Sequence, residues 1–142
     1  MPGPIAVVGV PVALGGQLPG ALEAGMAAVP RDLRRLGFLE RLAAAGLELR
    51  DDGDLPVDPP VRVDPDSRAK NRELIAAYLP REATMVASSV ARGERLLVLG
   101  GDCCAHAGAT AGLRRARPDR RLAIAWLDAH GDSNTPETTR SG

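Results

Sequence analysis

Asp128, His130 and Asp132 stand two residues apart at the end of an apolar run, in LAIAWLDAHGDSNTPETTRSG (Leu122 to Gly142). In an extended chain this spacing turns all three side chains the same way. Two carboxylates and an imidazole converging there suit a hard or borderline divalent cation: carboxylates favour manganese or magnesium, and imidazole accepts manganese, iron or zinc. A pair of carboxylates at a partly buried strand end is costly without a cation beside it. The same residue types also cap helices and make turns, so spacing alone leaves both uses open.

A second polar cluster, GGDCCAH, follows another apolar run and carries Asp102, Cys103, Cys104 and His106. Gly100 and Gly101 permit a tight turn, and Asp102 is placed to cap a following helix. Cys103 and His106 are one helical turn apart and could face a common partner, although a buried thiol and a surface histidine are the commoner arrangement. There is no CxxC pair, GxGxxG or GKS/T loop, which argues against a zinc ribbon, a thioredoxin-like site and the familiar phosphate loops.

The elements that must position these clusters alternate. Ile5–Val12 is a β-branched strand, followed by the glycine-rich LGGQLPG. From Ala21 to Ala45 the apolar spacing is helical. Pro30 is expected to divide that stretch into a short helix, a turn and a second helix from about Arg31, with Gly46 as its stop. Leu47–Leu55 is expected as a short edge strand and Asp54–Ser67 as a surface loop. A helix is expected over Ala69–Arg92, broken or kinked at Pro80. Arg95–Leu99 is the third strand, Ala105–Arg117 a helix, Pro118-Asp119 a turn and Leu122–Leu127 the fourth strand. This alternation predicts an α/β fold with a mostly parallel sheet, whose ligand site lies outside the carboxyl ends of the strands. Both polar clusters fall there.

Composition narrows the classes. The 142 residues are 44% hydrophobic, enough for one domain with a real core. The 18 basic residues, all but Lys70 arginine, are balanced by 18 acidic ones, so nothing in the total favours nucleic acid or an anionic membrane. No apolar run is long enough to span a bilayer, and no signal-peptide pattern opens the chain. Two adjacent cysteines are not a disulfide framework, which predicts a reducing, cytoplasmic setting.

Taken together, LVLGGDCCAHAG and LDAHGDSNTPETTRSG resemble the ureohydrolases (arginases, agmatinases and formimidoylglutamases), and DAHGD–NTP–TT–SG is most similar to the arginase branch. LPGALEAG and DDGDL are a looser match to the family's N-terminal segments. The resemblance implies a three-layer α/β/α domain, of which residues 1–142 would be the N-terminal portion. It implies a binuclear manganese centre whose bridging hydroxide attacks a guanidino or amidine carbon and releases urea. Asp128 would bridge the two ions, with His130 and Asp132 each binding one. Asn134, Thr139 and Ser141 would receive the α-carboxylate and amino group of an arginine-like substrate.

Two departures qualify that expectation. Cys103 stands where the family's GGDH motif has its histidine, and a soft thiolate favours zinc or iron over manganese. The family's later DxD carboxylates and the histidine after SG have no counterpart, and neither Asp51, Asp52 and Asp54 nor Asp64 and Asp66 replaces them. A truncated or split form is therefore expected. It would be poorly soluble, homo-oligomeric or dependent on a complementary C-terminal half, because an unpaired central strand exposes its edge and apolar faces. A catalytically degenerate member binding a metal or a partner chain is the second expectation, and an unrelated small α/β binding module the third.

Overall fold

A computed structural model describes residues 3–16, 20–57, 69–90, 93–131, 133–135 and 137–138. Three strands form one parallel sheet: β1 (Ile5–Val10), β2 (Leu49–Asp54) and β3 (Arg95–Gly100), in the order β2-β1-β3. The central strand has the most uniformly buried sequence. Ala6, Val7, Val8 and Val10 are all 0% exposed, the burial expected of a β-branched strand covered on both faces. β3 is in unbroken register with β1 from Ile5 opposite Arg95 to Val10 opposite Gly100. β2 pairs with the other edge, shifting register between Val7 and Gly9.

The helices are α1 (Gly20–Arg35), α2 (Phe38–Ala44), α3 (Arg72–Val90) and α4 (Ala105–Ala116). The chain moves outward from β1 to β2, then back across β1 to β3. Right-handed crossovers in opposite directions put α1 and α2 on one face and α3 on the other. The packing agrees, with α2 beside α1 and α4 lying along α3. The result is the parallel α/β order expected from the alternation, in the three α/β/α layers that the resemblance implied. The turn of direction falls between β1 and β3, and their carboxyl ends flank the crevice where such sheets bind ligands.

Both helical prolines depart from expectation. Pro30 lies inside α1 and Pro80 inside α3, and neither ends its helix. Pro30 is fully buried, and a β-carbon at Gly9 of β1 would sit 3.0 Å from the Pro30 Cβ. Packing of the ring on the sheet offsets the lost helical hydrogen bond. The break comes instead at Gly37, in the left-handed region at φ 75°, and Gly46 stops α2 as expected, at φ 89°.

The expected fourth strand is not formed. Residues 121–128 carry no strand pairing, and Ile124, Trp126 and Leu127 are 63%, 49% and 92% exposed. A parallel strand is stable when layers cover both faces. Among the described residues no layer covers both faces of this one, so its apolar sequence is present without the burial that would fix it. Among the described residues, no helix is long and apolar enough to cross a membrane.

Candidate functional site

The carboxyl ends of β1 and β3 are locked together by small residues and one carboxylate. A β-carbon at Gly101 would run into the Val12 carbonyl oxygen and lie 2.9 Å from that of Met26. Only glycine lets the turn after β3 pass under the loop after β1. The Gly101 N–H donates to the Val10 carbonyl at 3.2 Å, extending the ladder one residue beyond the strand. Asp102 then accepts from two backbone donors: Gly15 N–H to Oδ2 at 2.8 Å and Cys104 N–H to Oδ1 at 3.0 Å. It therefore shapes the turn entering α4 as the sequence suggested, although the residue preceding the helix is Cys104, which makes no side-chain cap. The hydrogen bond to Gly15, 87 residues away, was not legible from the sequence, because nothing local signals it.

The adjacent thiols diverge. Cys104 is half-buried against Gly15, and burial together with the Asp102 charge pushes its thiol up to about 12. It is a protonated packing group at neutral pH. Cys103 is exposed, and its Sγ lies 3.7 Å from Asp128 Oδ2. The His106 ring, which the spacing could have turned toward a partner shared with Cys103, is engaged by an aromatic neighbour. It meets Trp126 edge-on at a centroid distance of 4.6 Å.

Asp128 is the meeting point of the two clusters. Besides the Cys103 contact, its Oδ1 accepts the His130 backbone N–H at 2.8 Å and lies 3.1 Å from His130 Nδ1. The backbone N–H foremost, and the ring with it, hold the Asp128 carboxyl below its ordinary range. Although the segment before it forms no ladder, its end reaches the end of β3, as a parallel neighbour's would. The His130 side chain is 84% exposed. Asn134 Oδ1 accepts from Thr138 Oγ1 at 3.3 Å, within a turn closed by Thr138 N–H to the Thr135 carbonyl at 3.0 Å. Asp132, Thr139 and Ser141 lie outside the described residues.

The described part of the site thus joins a thiol, a carboxylate and an imidazole through Asp128. Oxygen, nitrogen and sulfur donors together suit a borderline divalent cation. Among the described residues no group of three or more such side chains is close enough to form a ready metal cage.

The sequence profile of the arginase family matches residues 3–142. Among curated relatives, an arginase of Bacillus caldovelox is 38% identical over 141 residues, covering 98% of this chain and 45% of the relative. Arginase-1 of Rattus norvegicus is 38% identical over 146 residues, covering 99% and 42%. The native structure of the Bacillus caldovelox arginase at pH 5.6 superposes with a TM-score of 0.79 at 36% identity, over 97% of this chain and 44% of that one. The chain therefore spans less than half the length of the relatives it matches.

Proposed function

Because the chain belongs to the arginase family, we propose that it carries part of a metal-dependent centre that hydrolyses the C–N bond of a guanidino or amidine substrate, arginine-like and urea-releasing. The observation that carries this reading is the contact of Asp128 with both Cys103 and His130 at the carboxyl end of β3. Asp128, His130 and Asp132 are the proposed ligands, with Cys103 as a further one. Such a centre, manganese by family, supplies a water acidified enough to act as nucleophile near neutral pH.

The chain's own residues prepare for that role. The His130 backbone N–H holds the Asp128 carboxyl below its ordinary range, which favours the charged form a cation needs. Asp128 and His130 would hold the cation in exchange for their mutual contact, the His130 side chain being 84% exposed and that of Asp128 16%. Asn134, Thr139 and Ser141 are proposed to orient the substrate's polar end with neutral donors and acceptors.

Cys103 supports a softer occupant. A thiol beside a carboxylate and an imidazole fits zinc or iron better than manganese, so the site on the Cys103 side is proposed to bind manganese weakly. A reducing, cytoplasmic setting would keep that thiol available. The same residue favours a second reading: a degenerate family member that binds a metal or partner without catalysis.

The exposed run from Leu122 to Leu127 supports a partner, either a polypeptide equivalent to the remaining length of the relatives or a second copy. Titration of the purified chain with manganese and with zinc tests the metal reading. Zinc should bind more tightly than manganese, with both lost in Asp128→Ala/His130→Ala, and Cys103→His should shift preference toward manganese. Urea release on adding the complementary half separates the first reading from the second. Absence of any divalent binding would overturn both metal readings.

A further inference from the structure

Helix α3 carries Glu82 into its contact with α4, where the side chain is 0% exposed and neither carboxyl oxygen has a hydrogen-bond partner. The space is made by glycines. A β-carbon at Gly108 would collide with Glu82 Oε2 and lie 2.9 Å from the Glu82 Cβ. At Gly112 it would sit 2.6 Å from the Val86 Cβ and 2.8 Å from the Ala83 carbonyl oxygen. The two helices approach closely enough to enclose a carboxyl group, and the enclosure offers nothing to balance a charge. A carboxylate buried this way is far more costly than a carboxylic acid.

The surroundings contain acids and no described cation. On α3 itself Tyr78 lies one turn earlier. The turn before α4 brings Asp102 and, against Tyr78, Cys104. α4 faces Glu82 with Gly108 and Ala109, while its Arg115 is turned to Thr84 Oγ1 at 2.9 Å. The strands contribute Val8 and Val10 of β1, with Leu96 and Val98 of β3, to the apolar core on this side. Burial first, then the charge of Asp102, push the Glu82 carboxyl up to about 8; the nearby Ala109 N–H, outside hydrogen-bond geometry, offsets only part of this.

We propose that Glu82 is a proton-operated latch between α3 and α4. It is held as the neutral acid while the helices are packed and gives its proton to solvent when they part, so rising pH loosens α4 and the Asp102–Cys104 turn at its start. This latch does not depend on catalysis. The sign follows from linkage. In an opened or unfolded chain Glu82 has its ordinary value of 4.5, below its value when enclosed. The packed state retains a proton that the open state releases. The latch is therefore at full strength below about pH 4.5 and weakens as pH rises, until Glu82 ionises in both states near pH 8. Between those limits the opening equilibrium grows about tenfold per pH unit.

The experiment uses the full chain with carboxyl-labelled glutamate, beside Glu82→Gln and Glu82→Met. The Glu82 carbon resonance, assigned by its loss in either variant, is followed from about pH 4 to about pH 9. Hydrogen exchange of α4 amides, corrected for intrinsic rates, is followed over the same range. Titration far above the ordinary glutamate range is expected. So is α4 opening that rises about tenfold per pH unit in the wild type and stays level in both variants. A Glu82 resonance titrating near its ordinary value would overturn the proposal, as would the same pH slope in all three proteins. Should the variants fail to fold, residue-by-residue assignment of the wild-type resonance decides the question.

Discussion

The carboxyl end of β3 and the segment from Leu122 to Asp128 carry the two halves of the candidate site, and they are held by opposite means. The first is over-determined: Gly101 fits under Val12, Asp102 ties Gly15 to Cys104, and β1 beside it is buried from Ala6 to Val10. The second is equally apolar in sequence, yet it has no ladder, and its described tertiary contacts include the Trp126 ring on His106 and Asp128 beside Cys103. Hydrophobic sequence is therefore not sufficient for a strand. The apolar surface must meet another layer, and β1 has one on each side.

Substitutions should fall unequally on the two regions. Gly101→Ala is expected to be the most damaging, costing about 3 kcal/mol or more, because the obstructing atoms are backbone oxygens with little room to move. Urea denaturation would measure it, and a cost under about 1 kcal/mol would show that the two strand ends are less tightly fitted than described. Asp102→Ala comes next, at about 2 kcal/mol, since two backbone donors lose a charged acceptor. Asp102→Asn, which retains one accepting oxygen, should cost less. Trp126→Ala should cost under about 1 kcal/mol, the scale of a single aromatic contact. Smallest of all, Ile124→Ser with Leu127→Ser should change stability by no more than about 0.5 kcal/mol. That pair should nevertheless reduce self-association in light scattering. A large loss of stability there would mean the segment is packed after all, erasing the contrast.

The same contrast explains what could be read from the sequence. β1, β3 and α4 were legible because burial on both faces or one leaves a trace: an unbroken run of apolar and small residues, mostly β-branched, in Ile5–Val10, and small residues at Ala105, Gly108 and Gly112. The prolines misled because their local cost is countered by distant packing, as with Pro30 against Gly9. Leu122–Leu127 misled in the opposite direction, having strand composition without a covering layer. Within the site, residue types at the motif positions identified Asp128, His130 and Cys103 as neighbours. The Gly15–Asp102 bond and the enclosure of Glu82 depend on loops and helices far apart in the chain, and no local pattern encodes them.

The Asp102 clasp also has a mechanical meaning. By gripping Gly15 with one oxygen and Cys104 with the other, it joins the loops after β1 and β3 into one moving part. A displacement of either is shared by the other. A contact made at residues 13–16, far from the thiol in sequence, is therefore transmitted to the backbone beside Cys103.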